Sequence, residues 1–203
     1  MATPQAKLSI SPEDYLVFER QSDERHEYDN GRIQAMAGES LSHSRINVNV
    51  AGEFHTRLKG KRCEALSPNM KVAVTQAGKY YYPDLSVVCD APLFHDDRRD
   101  VLLNPTVIIE VLSPSTEKRD LSEKQLYYLQ IPSLTDYVII AQDRPLIRHY
   151  TRLADGQWLF TVMDDLSQSL TIKSLACTLP LADIYDRIEF ASHAPDAAPP
   201  DLP

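Results

Sequence analysis

The fold is decided by one stretch of the chain, VIIEVLSPST at residues 107–116. Its first six residues are apolar and mostly β-branched, apart from Glu110, and such a run is typical of a strand covered on both faces. The Ser-Pro-Ser-Thr segment that follows stops the strand, because proline cannot donate the ladder hydrogen bond. We therefore predict a buried strand over residues 107–112 that carries one carboxylate.

The region before this strand carries clear helix and hairpin signals. Ser11-Pro12-Glu13-Asp14 is typical of a helix start, with serine as N-cap and proline at the first helical position. Asn30-Gly31, between two short extended runs, predicts a tight hairpin turn. Residues 40–58 keep apolar side chains at helical spacing and predict a longer helix that Gly60 can end.

The remaining segments mostly predict strands. In residues 70–74, Met70, Val72 and Val74 alternate with Lys71 and Ala73, which predicts a half-exposed strand. Further strands are predicted at 85–89, 137–141, 146–150 and 158–163. Residues 120–130 predict a helix closed by Ile131-Pro132, and residues 179–188 predict a short last helix.

This order of elements predicts an α/β (α+β) fold with a mixed central β-sheet flanked by helices, preceded by an N-terminal helix and a β-hairpin. We expect a single domain over residues 1–190, because the chain of 203 residues is of ordinary single-domain size. Residues 191–203 are rich in proline and alanine, and we expect a disordered tail there.

Cysteine usage and hydropathy exclude several classes of protein. Cys63, Cys89 and Cys177 form no CxxC pair, so neither a zinc knuckle nor a disulfide scaffold is expected, and Cys89 is predicted to be a buried thiol. The N-terminus has no signal-peptide core, and no apolar stretch approaches the roughly 18 residues that span a bilayer. We therefore expect a cytoplasmic protein without a membrane partner.

The formal net charge of -8 counts against nucleic-acid binding, since such domains usually carry a basic footprint. Net charge does not report local patches, however, and a metal site concentrates carboxylates that a bound cation would neutralise. The basic residues Arg57, Lys59, Lys61 and Arg62 could face phosphate, although a solvated helix end explains them more simply. The tyrosines at 80–82 could stack on bases, but packing on the sheet is the simpler interpretation.

Two carboxylates are the first candidate functional residues. Glu110 lies within an apolar strand, where an unpaired carboxylate is costly to desolvate, although a solvent-facing acid near the strand end is an equal alternative. Asp84 opens the neighbouring predicted strand after Pro83, and taken alone it is better interpreted as a turn or capping residue. Carboxylates from adjacent strand ends would together suit Mg²⁺ or Mn²⁺.

Lys124 is the third candidate. The predicted 120–130 helix places it on the same stripe as Leu121 and Tyr128, which is otherwise the apolar face. A lysine there can extend to solvent or lean over the two carboxylates. The alternative is a weak helical ion pair with Asp120.

With these residues in place, a family resemblance becomes specific. Pro83-Asp84, the EVLSPST segment at 110–116 and Asp120-x-x-x-Lys124 together resemble the PD-(D/E)XK nuclease pattern, and more narrowly the Uma-type family of restriction endonucleases. The usual lysine position, two residues after the acid, holds Leu112 here, whereas in the Uma-type branch the lysine lies on the following helix. The segments YDNGRI at 28–33 and SHSRIN at 42–47 extend the likeness to roughly residues 10–150.

The resemblance implies a restriction-endonuclease-like core and a metal-dependent endonuclease that cuts nucleic acid, with DNA as the expected substrate. Asp84, Glu110 and the backbone carbonyl of Val111 would hold Mg²⁺ (or Mn²⁺), and Lys124 would position the attacking water or stabilise phosphate charge. A homodimer is expected, because cutting both strands of a duplex suits two-fold symmetry.

Two further residues are possible accessories. Glu27 matches an acid often found near such sites, although a cross-strand charge pair with Arg32 is the preferred interpretation. His43 lies near the start of the long helix, where backbone amides could also hold a phosphate, but it could equally be a surface histidine. Two rival functions stay open: a regulator on the same fold that cuts nothing, binding nucleic acid or protein, and a divalent-metal hydrolase of small phosphorylated compounds.

Overall fold

The structure is a computed structural model that describes residues 9–112 and 124–190. The helices in these ranges are α1 (Pro12–Glu19), α2 (Leu41–Leu58), α3 (Gln125–Tyr128) and α4 (Leu181–Ile184). The strands there are β1 (His26–Asp29), β2 (Arg32–Ala35), β3 (Cys63–Leu66), β4 (Lys71–Val74), β5 (Lys79–Tyr81), β6 (Leu85–Cys89), β7 (Val101–Leu102), β8 (Val107–Leu112), β9 (Asp136–Ala141), β10 (Ile147–Arg152), β11 (Trp158–Met163), β12 (Ser169–Ile172) and β13 (Cys177–Pro180). Within this part of the chain, none of the helices combines the length and hydropathy that a bilayer crossing requires.

Two sheets organise these strands. The larger sheet has the order β11-β10-β9-β8-β6-β3, in which β8 and β9 run parallel and the other neighbours run antiparallel. The smaller sheet has the order β2-β1-β5-β4-β7, and β12 pairs with β13 separately. The larger sheet is the mixed central sheet that the sequence predicts, and α1 and the β1–β2 hairpin precede it as expected.

The two sheets stack face to face, with α1 outside the smaller sheet and α2 outside the larger one. One apolar cluster lies between the sheets and includes Tyr81 of the smaller sheet and Ile108 of the larger one. A second cluster lies between the opposite face of the larger sheet and α2, and a third joins α1 to the outer face of the smaller sheet. Strand β8 is therefore buried on both faces, as its sequence predicts.

Local sequence signals explain the start of the fold. The Ser11 and Ser40 hydroxyls accept hydrogen bonds from backbone N–H groups in the first turns of α1 and α2, which satisfies donors that have no helical partner. Asn30 and Gly31 have φ values of 44 and 84, the positive angles that a tight two-residue hairpin turn requires. Both helix starts and the hairpin are therefore confirmed.

Several predictions need correction. Strand β4 is buried along its whole length rather than half-exposed, because α1 covers one face of the smaller sheet and the larger sheet covers the other. The C-terminal helix covers only Leu181–Ile184, and part of the region predicted as helix is strand β13. The predicted strand stop at 113–116, the helix start at 120–123 and the tail at 191–203 lie outside the described residues.

The expectation for Cys89 is also wrong. Cys63 and Cys89 stand opposite each other on the antiparallel strands β3 and β6 and form a disulfide. The pairing depends on the register of two strands that are 26 residues apart, so the cysteine spacing alone does not indicate it. Cys177 is a free, buried cysteine, and burial raises the pKa of its thiol.

A buried polar cluster surrounds Asp136 at the start of β9. Its carboxylate accepts hydrogen bonds from Ser174 at 2.7 Å and Thr135 at 2.7 Å, and His149 Nε2 lies 2.8 Å away. Burial alone would raise the pKa of Asp136, but these hydrogen bonds outweigh it and lower the pKa below its usual value. The cluster thus joins β9 and β10 to the turn before β13.

We expect Asp136→Asn to lower the free energy of unfolding at pH 7 by about 1–3 kcal/mol, because the buried donors lose a charged acceptor. A carboxylate with a lowered pKa stabilises the fold above its unfolded pKa, and this contribution disappears as the pH falls through the folded pKa. Urea unfolding should therefore show the gap between variant and wild type narrowing below about pH 4. The exposed control Asp97→Asn should have the same free energy of unfolding as wild type at every pH. If the difference between Asp136→Asn and wild type does not change with pH, the stabilising role of the ionised Asp136 carboxylate is contradicted.

Candidate metal-binding and catalytic site

A cavity of ≈ 190 Å³ opens where β6 begins, beside the second half of β8. Its walls combine β1, the loop before α2, the first turn of α2, β8 and the residue preceding α3. The residues predicted from sequence all line this cavity: Glu27, His43, Asp84, Glu110, Val111 and Lys124. Side chains that are distant in sequence are therefore brought to one place, as the metal-site hypothesis requires.

Asp84 is held at the strand ends by hydrogen bonds to both of its carboxylate oxygens. Leu85 pairs with Ile109 in the antiparallel β6–β8 ladder, so continuing the register by one residue places Asp84 beside Glu110. Oδ2 accepts a hydrogen bond from the backbone N–H of Val111 at 2.7 Å. Oδ1 lies 2.9 Å from His43 Nε2 and accepts from Asn47 Nδ2 at 3.3 Å. The carboxylate is thus oriented by both β8 and α2.

Glu110 is buried and faces the space between the two sheets. It is only 3% exposed, so the alternative of a solvent-facing acid at the strand end is wrong. The Tyr128 hydroxyl donates a hydrogen bond to Glu110 Oε1 at 2.9 Å. Burial, together with the nearby Glu110 charge, raises the pKa of Tyr128 well above its usual value, so the phenol stays a proton donor.

Lys124 leans over the carboxylates rather than extending into solvent. Its Nζ lies 2.9 Å from Glu27 Oε1 and 3.5 Å from Glu110 Oε1. The side chain is 7% exposed, so the two ion pairs are shielded from water and from salt. Asp120, the alternative partner for Lys124, lies outside the described residues.

Glu27 belongs to this site and not to the hairpin surface. Its carboxylate is buried, contacts Lys124 and accepts a hydrogen bond from the Tyr82 backbone N–H at 3.4 Å. The expected pairing with Arg32 is wrong, because Arg32 stands opposite Asp29 in the hairpin and Glu27 stands opposite Gln34. The side chain of Glu27 instead points toward the larger sheet.

The first turn of α2 supplies His43, which is buried, so the alternative of a surface histidine is wrong. Glu39, in the loop just before this helix, brings a third donor close to His43 and Asp84. One ligand atom from each of the three residues lies within 4.8 Å of the others. Glu39 was not predicted from the sequence, because it belongs to no motif and only the position of α2 in the fold brings it to the site.

The electrostatics of the cavity favour a cation. Among the residues that the structure describes, four carboxylates and two Arg or Lys side chains line it, so the formal charges of these six side chains leave an excess of two negative charges. The residues concerned are Glu27, Glu39, Asp84 and Glu110 against Arg25 and Lys124. Carboxylate oxygens in this number fit a hard divalent cation, so the donor set agrees with the metal that the sequence predicts.

The other sequence candidates, apart from Tyr82, do not line this cavity. Arg57 pairs with Glu53 on its own helix, and Arg62 pairs with Asp90, which supports the interpretation of a solvated helix end. The three tyrosines at 80–82 are buried: Tyr80 packs toward α1 and Tyr81 packs between the sheets. Packing, not base stacking, is therefore the interpretation that the structure supports.

The fold and the carboxylate-lined cavity define an α+β protein of the nuclease-like class. In agreement, the chain superposes with a TM-score of 0.73 on the crystal structure of a putative nuclease belonging to DUF820 from Anabaena variabilis. The sequence identity is 19%, and the match covers 87% of this chain and 97% of that chain. At this identity the likeness shows the shared fold.

The chain belongs to the Uma2 family, described as "Putative restriction endonuclease", whose model matches residues 12–182. Two relatives come from Synechocystis. The protein slr1290 is 35% identical over 183 residues, which is 89% of this chain and 94% of its own length. The protein sll1609 is 32% identical over 152 residues, which is 75% of this chain and 86% of its own length. The resemblance found in the sequence is thus confirmed at the level of family and fold.

Proposed function

We propose that this protein is a Mg²⁺- or Mn²⁺-dependent endonuclease that hydrolyses phosphodiester bonds of nucleic acid, with DNA as its substrate. The observation that carries the proposal is the meeting of Asp84, Glu110 and Lys124 in one cavity of a chain that belongs to this family. Two copies acting as a homodimer would cut the two strands of a duplex.

In this proposal, Asp84, Glu110 and the carbonyl of Val111 hold the cation. When bound, a divalent cation polarises the phosphodiester and lowers the pKa of a water so that it can attack phosphorus. The hydrogen bonds from Val111 N–H and Asn47 to Asp84, and from Tyr128 to Glu110, fix the directions of both carboxylates. Such supporting contacts keep ligands in place without a large reorganisation on binding.

Lys124 provides the positive charge that the reaction needs near phosphorus. Its ammonium is held between Glu27 and Glu110, where it can orient a water or stabilise the charge that develops on the phosphate. Glu27 keeps the ammonium in that position and can reach the cation through a water. The acidic balance of the whole chain opposes DNA binding, and the cation and Lys124 offset this repulsion within the cavity.

Calorimetric titration with Mg²⁺ and Mn²⁺ tests the metal site. We expect wild type to bind and Asp84→Ala to lose binding, whereas the exposed control Asp97→Ala should bind as wild type does. Asp84→Asn retains an acceptor for the Val111 N–H and should lose the cation while remaining folded. If wild type and both Asp84 variants bind the cations equally weakly, the proposed metal site is contradicted.

The second arm incubates wild type with supercoiled plasmid and Mn²⁺, and nicking that depends on Asp84 is expected. A protein that binds the cation but leaves DNA and RNA intact contradicts the nuclease proposal. Hydrolysis of a small phosphate ester by that same protein would then favour the small-substrate hydrolase, and its absence would favour the non-cutting regulator.

A further inference from the structure

We propose that Glu39, His43 and Asp84 form a second divalent-cation position, which shares Asp84 with the first and selects a transition metal through the His43 imidazole. The idea deepens the proposed function, on which the role of the second ion rests. Binding at the second position can nevertheless be measured in a protein that cuts nothing.

The geometry of the three donors fits one coordination sphere. In an octahedral site with metal–ligand bonds of about 2.1 Å, adjacent ligand atoms lie about 3 Å apart and opposite atoms about 4.2 Å apart. His43 Nε2 and Asp84 Oδ1 are separated by 2.9 Å, which is the spacing of adjacent ligands. All three donor atoms lie within 4.8 Å of one another, so Glu39 can complete the set with a small movement.

Two of the three proposed ligands, His43 and Asp84, are held in place by contacts with neighbouring residues before any ion binds. The Ser40 hydroxyl accepts a hydrogen bond from the His43 backbone N–H at 3.1 Å and also bonds Gln142, just beyond β9. The first turn of α2 is therefore attached to the larger sheet. Asn47, one turn further along α2, donates to Asp84. Glu39 is exposed and lies on the cavity wall, which leaves the solvent side of the position open for water ligands.

The kinds of donor atom decide which ion would bind. Carboxylate oxygens alone favour Mg²⁺, whereas imidazole nitrogen favours Mn²⁺, Co²⁺ or Zn²⁺ over Mg²⁺. Glu110 Oε1 contacts Lys124 and Tyr128. The donors assigned to the first position, from Asp84, Glu110 and the Val111 carbonyl, are all oxygen atoms. The two positions should therefore differ in metal preference, and the His43 position should be the one that distinguishes Mn²⁺ from Mg²⁺.

Pulsed electron paramagnetic resonance on the tag-free full chain with Mn²⁺ alone tests this proposal, because a coordinated imidazole gives a ¹⁴N coupling. We expect two Mn²⁺ per chain and a nitrogen coupling in wild type. His43→Gln should lose the coupling and one Mn²⁺, while the Mn²⁺ at Asp84 and Glu110 is retained. Glu110→Gln should keep the coupling and lose the other Mn²⁺. The control His55→Gln removes an exposed histidine from the same helix and should behave as wild type.

Each outcome separates the two proposals. A nitrogen coupling that survives Glu110→Gln and disappears in His43→Gln supports the second position, whether or not the protein cuts DNA. Mn²⁺ bound without nitrogen coupling, or coupling unaffected by His43→Gln, overturns the second position and leaves the ion at Asp84 and Glu110 intact. Wild type that binds no Mn²⁺ overturns both. Circular dichroism checks that each variant is folded.

Discussion

Replacing Glu110 with glutamine is expected to lower plasmid nicking by about 10²- to 10⁴-fold, which is the loss that several kcal/mol of transition-state stabilisation produces. Glutamine has nearly the same size and keeps an oxygen that accepts from the Tyr128 hydroxyl, so the packing of β8 should be preserved. The substitution removes the negative charge that is proposed to hold the cation and that also pairs with Lys124. The measurement is the initial nicking rate at saturating Mn²⁺.

The matched control is Glu64→Gln on β3 of the same sheet, where the carboxylate is exposed and away from the cavity. Nicking by this variant should equal that of wild type. Thermal unfolding should show that both variants are folded at the assay temperature. If folded Glu110→Gln nicks plasmid at the wild-type rate, Glu110 has no part in the proposed chemistry. The proposal that the cation binds at the end of β8 would then be wrong.

Lys124→Ala should produce the second large effect, with a different pattern. Cleavage is expected to fall by about 10²- to 10³-fold, because an ammonium near the phosphate is lost. Affinity for Mg²⁺ or Mn²⁺ should not fall, since Lys124 is assigned to water or phosphate and not to the ion. Cleavage rates and calorimetry, measured on one preparation, distinguish the two variants. Glu110→Gln should lose both cleavage and cation binding, whereas Lys124→Ala should lose cleavage alone.

The same variant also makes a prediction about stability. Removing Lys124 leaves Glu27 and Glu110 buried without their shared cation, and breaking a buried ion pair in this way costs about 3–5 kcal/mol. Urea unfolding without metal should show this loss, and saturating Mg²⁺ should restore part of it. A Lys124→Ala protein that loses metal binding together with cleavage would contradict the role given to the lysine.

The sequence predicted those elements that are stabilised by contacts between residues close together in the chain. Ser11 and Ser40 cap their helices through neighbours three residues away, and Asn30-Gly31 sets the hairpin through its own backbone angles. Glu110 was identifiable because a carboxylate in an apolar strand needs a specific partner. The order of the predicted elements made Asp84 and Lys124 its candidate neighbours, and the family motif then favoured this grouping over the alternatives for each residue.

Features that depend on long-range packing were not predictable from single segments. The burial of β4 follows from the second sheet that covers it, and the Cys63–Cys89 disulfide follows from strand register. The partner of Glu27 is Lys124, nearly a hundred residues later in the chain, so the nearby Arg32 was a misleading alternative. Glu39 lacked any motif and could be associated with the site only through the three-dimensional position of α2.

The ion pair between Glu27 and Lys124 has a thermodynamic consequence. Glu27 belongs to the smaller sheet and Glu110 to the larger one, and Lys124 contacts both carboxylates. The cavity therefore lies at the seam, that is, the interface between the two sheets. A cation or phosphate that binds only when this seam is closed adds its binding free energy to the folded state. For the proposed site, a higher ligand concentration should therefore raise the melting temperature, because ligand binding is coupled to the stability of the whole fold.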